Sequence, residues 1–497
     1  MQTPIQRAGA VAPSRSPRDS ASPSLRLLGE QALSRAAGAP LVSGNRIRLL
    51  RDAPENYPAW LDAIGGAQRS ISFETYILAD DPVGNCFARA LAAAARRGVR
   101  VWLLQDWFGA RGEAGRAFWQ RLRSAGVDVR WFNPFRIVAP LAALRRNHRK
   151  SMVVDGRIGF VTGLCIAERW AGDPDRGIPP WRDTGVELEG PAVVDLARAF
   201  ASAWSEAGPP IEGLEIPRVE DVAPAGATAI RIIATEPATS GIYRLDQLIA
   251  AMARRTLWLT DAYLVGLPSY VQALRAAATD GVDVRILVPG TSDLGLVKAL
   301  GVAGYRPLLE AGIRVFEWNG PMLHAKSAVA DGRWARVGST NLNLASWMGN
   351  WELDVAVEDE AFAREMEQMF EADLTNATEI VLGVPRRRGT VRPKRIVGRR
   401  RGREGSAVAT AGAIRVGNTM GAALGGYRVL APAEAKALLV AGVALIAAAA
   451  LALLFPWVAL APVVVTLVWL GIALVFHGAK ISRESARSRR RKGVPRT

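Results

Sequence analysis

The segment NHRKSMVVDG at 147–156 returns as LHAKSAVADG at 323–332, so His148, Lys150 and Asp155 recur as His324, Lys326 and Asp331 at identical spacing. Such a duplication makes the chain two copies of one supersecondary plan. The flanking sequence repeats as well. SISFETYIL (70–78) and TLWLTDAYL (256–264) read as strands, each with an acidic residue, Glu74 or Asp261, two places before a tyrosine. ARRGVRVWLLQD (95–106) pairs with ATDGVDVRILVPG (278–290), and SAGVDVRWFNP (124–134) with EAGIRVFEWNG (310–320). Each of these four is a helix end, a glycine and an apolar strand. Strands alternating with helices predict an α/β architecture in two halves, 44–215 and 225–385, with a shared site at their junction.

The repeated motif carries chemistry. In an extended segment residues i and i+2 share a face, so each half aims one imidazole and one ammonium the same way. Histidine occurs three times in 497 residues and lysine seven times. Two chance copies of the pattern are therefore implausible, whereas a lone histidine such as His477 is incidental. An imidazole near neutral pH serves as nucleophile or as proton donor, and two in one pocket divide those roles. The lysines suit an anionic, phosphate-like substrate. No His-Cys cluster and no paired carboxylate spacing points to a metal, and no cofactor is expected.

Charge is distributed unevenly. The formal net charge is +17, yet residues 386–497 hold 21 Lys+Arg against three Glu and no Asp, which is +18 and leaves −1 for residues 1–385. A near-neutral body argues against a nucleic-acid partner gripped through bulk charge, while a basic tail suits an anionic bilayer surface. Residues 437–476 contain no charged side chain, and one span takes about 20 residues. Two transmembrane helices bending near Phe455-Pro456-Trp457 are expected, flanked by a basic linker (386–435) and a basic tail (477–497). Basic runs on both sides place both ends in the cytoplasm. Residues 1–40 read as a disordered arm without a signal peptide, and the two cysteines, Cys86 and Cys165, exclude a disulfide framework.

At these residues the chain resembles the phospholipase D superfamily, and within it the bacterial cardiolipin synthases. The superfamily pattern HxKxxxxD followed by GSxN is intact in the second half as His324, Lys326 and Asp331, then Gly338, Ser339 and Asn341. SFETYI, RRNHRKSMVVDG, WRDT, MLHAKSAVADG and GSTNLN carry the wider likeness, from about Gly44 to Leu382. The resemblance implies two tandem phospholipase D-like α/β/α sandwich halves sharing an active site, to which the tail adds a transmembrane hairpin. It implies His148 as nucleophile through a phosphohistidine and His324 as general acid and then base. Lys150, Lys326, Ser339 and Asn341 are expected on phosphate oxygens, while Asp155 and Asp331, members of the motif, are expected mainly to hold loops. Glu352 is expected to orient His324, and Asp183 to orient His148. The first half departs from the pattern: Thr162-Gly163-x-Cys165 stands where the second has Gly338-Ser339-x-Asn341, so the amide at 165 is missing, and Cys165 reads as a small packing residue.

The function so implied is phosphatidyl transfer between membrane phospholipids, with phosphatidylglycerol as substrate and the cell membrane, cytoplasmic face, as location. Water as acceptor leaves a phospholipase D-type hydrolase or a nuclease as the alternative. Trp131, Phe132, Phe135, Trp347, Met348 and Trp351 are candidates for an apolar rim that keeps water out.

Overall fold

The computed structural model describes residues 23–135, 145–212, 216–382 and 427–429, with four isolated positions beyond. Each half builds the same mixed sheet. In the first, β1 (Val42–Arg51), β2 (Ser70–Thr75), β3 (Arg100–Asp106), β4 (Asp128–Phe132), β5 (Ser151–Val154), β6 (Ile158–Thr162) and β7 (Thr184–Glu189) lie in the order β4-β3-β2-β5-β6-β7-β1. In the second, β8 (Thr228–Thr235), β9 (Thr256–Thr260), β10 (Asp283–Pro289), β11 (Arg314–Trp318), β12 (Ser327–Ala330), β13 (Trp334–Gly338) and β14 (Glu352–Glu358) lie in the order β11-β10-β9-β12-β13-β14-β8. β1 and β8 pair antiparallel and join the two sheets edge to edge. Beyond β11 the second sheet gains β15 (Ala377–Val381) and then β16 (Tyr427–Val429), which falls within the expected basic linker.

The parallel strands β2, β3 and β4 are linked by α3 (Pro82–Arg96) and α4 (Arg116–Ser124), as β9, β10 and β11 are by α8 (Pro268–Thr279), α9 (Gly295–Ala303) and α10 (Tyr305–Glu310). α3 starts where Asp81 accepts from Gly84 N and Pro82 presets the first turn. Gly98, Gly126, Gly281 and Gly312 follow four of these helices with φ between 85° and 96°, the left-handed turn that releases the chain into the next strand. A core lies on each half's sheet, around Trp60, Phe73 and Phe87 in the first and Ile286, Val315 and Trp347 in the second. A third spans both halves, where Val161, Val186 and Leu188 meet Val337, Leu353 and Val355. This shared core fixes the halves against each other. α6 (Val193–Glu206) and α11 (Glu360–Leu374) cover it.

The N-terminal expectation is corrected. Residues 23–37 form a helix, α1 (Pro23–Ala37), because Leu33 and Ala37 bury into the second half's core beside α7 (Gly241–Met252). Arg231 donates to Ser34 Oγ and Arg244 to Ala36 O. Among the described residues no helix is long and apolar enough to cross a membrane, and the expected hairpin at 437–476 lies outside them apart from isolated positions.

Candidate active site

β5 and β12 run antiparallel to β2 and β9, so the residues just before them lie at the C-terminal edges of the parallel strands. His148 and Lys150 precede β5, and His324 and Lys326 precede β12. Two short bridges bring them together. Asn147 pairs with Trp351, with His148 N donating to Trp351 O at 2.9 Å. Arg182 pairs with Leu323, with His324 N donating to Arg182 O at 2.7 Å. Each histidine is thus threaded beside the segment of the opposite half that bears a carboxylate.

The orienting pairs are therefore crossed, which corrects the expected assignment. His148 Nδ1 lies 2.9 Å from Glu352 Oε2, and His324 Nδ1 lies 2.7 Å from Asp183 Oδ2. A proton on Nδ1 directed at a carboxylate leaves Nε2 as the reacting nitrogen. Both carboxylates are fully buried. Burial alone would raise their pKa values, but the facing imidazole and nearby lysine carry Glu352 and Asp183 below the usual range, so both remain anionic.

The two supports differ in a linked way. Ser339 Oγ donates to Glu352 Oε2 at 2.6 Å and accepts from Leu353 N. Ser339 therefore holds the orienting glutamate, where a phosphate-facing role was expected. In the first half Gly163 stands at the serine's position. Aspartate is one methylene shorter than glutamate, and a Cβ at 163 would lie 2.1 Å from Asp183 Oδ1. The donor comes instead from α5 (Glu168–Ala171), where Trp170 Nε1 donates to Asp183 Oδ2 at 3.2 Å. Trp170 has no counterpart in the motif, and a glycine replacing serine was its only trace in the sequence.

Lys150 Nζ donates to His148 O at 2.6 Å, and Lys326 donates likewise to His324 O. Lys326 Nζ also lies 2.9 and 3.0 Å from the two ring nitrogens of His324. Burial, then this ammonium, pulls the His324 pKa down to about 4, while burial pulls Lys326 down to about 8. His148 and Lys150 are shifted down as well, mainly by burial. Each imidazole also feels the lysine of the other motif, so the four groups form one site. His148 is the more open, its side chain 13% exposed against 6% for His324. Tyr76 packs edge-on to His148 at 5.1 Å, and Trp170, Trp181 and Tyr263 enclose His324 at 5.3–6.0 Å. Asn341 is buried and its side-chain oxygen, an acceptor, has no partner among the described residues.

Asp155 and Asp331 do not join this site. Each sits at φ 54° in the turn after β5 or β12. A four-residue strand separates each from its lysine, a distance on the order of 13 Å. Asp155 accepts from the backbone N–H groups of Gln68, Arg69 and Ser70, and Asp331 from those of Arg254, Arg255 and Thr256. They fasten the entries of β2 and β9. Glu74 accepts from Asn147 and Ser151, Asp106 from Asn147 N, and Arg149 donates to Glu352 O, Ala199 O and Thr235 O. These buried groups clamp the His148 segment across the halves. Asp261 accepts from Tyr263 N and Leu342 N. Cys165 is buried and burial raises its thiol pKa, as a packing residue requires. Of the expected rim, Phe132, Trp347 and Trp351 are core, while Phe135 and Met348 are 51% and 43% exposed.

The family model described as cardiolipin synthase, PLD-like domain matches residues 60–169 and 246–374, one match in each half. A cardiolipin synthase A of Pseudomonas aeruginosa is 34% identical over 377 residues, 75% of this chain and 75% of that one. The chain belongs to the phospholipase D superfamily. Within that superfamily it is also similar to cardiolipin synthase A of Pseudomonas fluorescens, at 32% identity over 361 residues, 70% of this chain and 73% of that one. A solved phosphatidylserine synthase of Haemophilus influenzae shares the fold, with a TM-score of 0.55 over 70% of this chain and 91% of that one, at 14% identity. As a phospholipase D-type enzyme, the chain is a catalyst of the transferase and hydrolase class.

Proposed function

We propose that the protein is a phosphatidyltransferase that joins two phosphatidylglycerol molecules into cardiolipin and releases glycerol. The crossed pairs carry this reading: two imidazoles held by buried carboxylates, each with a lysine beside it, suit a two-step exchange at phosphorus. His148, the more open imidazole, attacks the phosphodiester through Nε2. The P–O bond to the departing glycerol breaks, and His324 Nε2–H supplies the proton to that oxygen. The phosphatidyl group remains on His148 as a P–N bond. A glycerol hydroxyl of the second lipid then gives its proton to His324 and attacks phosphorus, and the P–N bond breaks. The number of phosphodiesters is conserved, so no external energy source is needed.

In this reading Lys150 and Lys326 offset the charge that shifts onto the phosphate oxygens, and an N–H of the Asn341 amide donates to one of them. Burial is the main cause that keeps His324 neutral in the empty site, and the Lys326 ammonium adds to it; an anionic phosphate offsets that second cause and so favours the protonated imidazole that acts as an acid. Asp183 and Glu352 orient the imidazoles from buried positions. The relatives' names and the uncharged run at 437–476 support a lipid acceptor at the cell membrane, with body and tail on the cytoplasmic side.

The test is turnover of labelled phosphatidylglycerol by the purified full-length protein. Cardiolipin and glycerol in near-equal amounts, with little phosphatidic acid, are expected. Phosphatidic acid as the main product with lipid acceptor in excess would make the enzyme a hydrolase. His148→Ala is expected to abolish the covalent intermediate, and His324→Ala to abolish turnover.

A further inference from the structure

Large apolar side chains are exposed mainly along one edge of the body. Phe108, Phe135, Ile178, Leu294, Leu344 and Met348 are each 43–57% exposed, and every one lies in a connection leaving the C-terminal edge of a strand at the histidines' end, Met348 within a short helical turn there. A groove opens among them in the first half. It has a volume of about 400 Å³ and is walled by Trp107, Trp119, Trp131, Ala110 and Pro134, with Arg111 at its lip. Trp119 and Trp131 pack edge to face at 4.8 Å, and Trp107 stacks on Phe135 at 6.4 Å. The floor is therefore aromatic, with Arg111 exposed at its lip and Arg145 exposed on the neighbouring pocket that shares Pro134.

The groove is tied to the reacting imidazole through backbone. Asp106, the residue before Trp107, accepts from Asn147 N, the residue before His148. Gly109 packs against Tyr76 so closely that a Cβ there would lie 2.0 Å from Tyr76 O. Tyr76 in turn stands 5.1 Å from the His148 ring. The groove's loop and the His148 segment are therefore held in fixed register at one end of the first half.

We propose that the groove is an acyl-chain subsite for the donor phospholipid, with Arg111 and Arg145 facing the anionic bilayer from which that lipid comes. The argument is complementarity: a ligand apolar along its length and anionic at one end meets a trough apolar along its floor and basic at its lip. The subsite rests on the lipid reading above.

The experiment compares three substrates on the full-length enzyme: dioleoyl phosphatidylglycerol in vesicles, monomeric dihexanoyl phosphatidylglycerol, and bis(p-nitrophenyl) phosphate. Ala114 also lines the groove, so Ala114→Phe narrows it, and Trp107→Ser strips its wall. Both are expected to lower kcat/KM for the dioleoyl lipid at least tenfold and to leave the other two substrates within twofold. Equal losses on all three substrates in both variants, or no loss on the long-chain lipid, would overturn the subsite while leaving the lipid reading intact. A wild-type enzyme that cleaves the nitrophenyl diester and neither lipid would remove the lipid reading itself, and the subsite with it.

Discussion

The crossed carboxylates assign each orienting group to a separate chemical step, and conservative amide substitutions expose this. Glu352→Gln keeps the shape of the group beside His148 and removes its charge; Asp183→Asn does the same for His324. Each replaces a charge-assisted hydrogen bond of 2.7–2.9 Å with a neutral contact. A bond to a charged group contributes about 1.5–3 kcal/mol, and 1.4 kcal/mol is about tenfold, so each step should slow by roughly 10- to 100-fold. The assay is the pre-steady-state burst of p-nitrophenol from a nitrophenyl phosphodiester, whose leaving group departs without a proton. Glu352→Gln should slow the burst itself, because it weakens the nucleophile. Asp183→Asn should leave the burst within about threefold and slow the steady state, because His324 is still required as base in the second step. The opposite pattern, a slow burst in Asp183→Asn with a normal burst in Glu352→Gln, would refute either the crossed pairing or the choice of His148 as nucleophile.

Three further outcomes are expected. Lys326 titrates near pH 8, so the rate should fall above that pH as its charge is lost, and residual activity in Lys326→Arg should lack this alkaline limb in a pH–rate profile. His324 binds a proton near pH 6.5 when unfolded and only near 4 when native, so the unfolded state takes up more protons between those values. Stability should therefore fall with decreasing pH across that window, by about 1–2 kcal/mol from pH 6.5 to 5; urea titrations should show this slope flattened in His324→Gln. Asp331→Ala strands three backbone donors and should lower the thermal midpoint at a cost of about 1–3 kcal/mol, with kcat per folded molecule unchanged and Asp331→Asn milder because asparagine tolerates the left-handed turn.

The duplicated strands, the glycines ending four helices and the two His-Lys pairs were legible because each depends on neighbours within a few residues. The carboxylate partners were not. Glu352 follows His324 in the chain, and proximity in sequence assigned it there, yet the bridges Asn147–Trp351 and Arg182–Leu323 cross between halves. Nothing local encodes such a crossing. Asp155 and Asp331 share a motif with the lysines, but a strand carries them to its other end. α1 was hidden because its helix gains its burial from α7, more than 200 residues later in the chain.

The glycine at 163 has an evolutionary consequence. Restoring serine there would not make the halves alike, since its Cβ would collide with Asp183 before its hydroxyl found a partner. Lengthening Asp183 to glutamate first would put the carboxylate elsewhere and forfeit the bond from Trp170. Three positions must change together, and each single step is worse than either end. A library that shuffles segments between the two halves should therefore return active sequences only where residues 163, 170 and 183 travel as a unit.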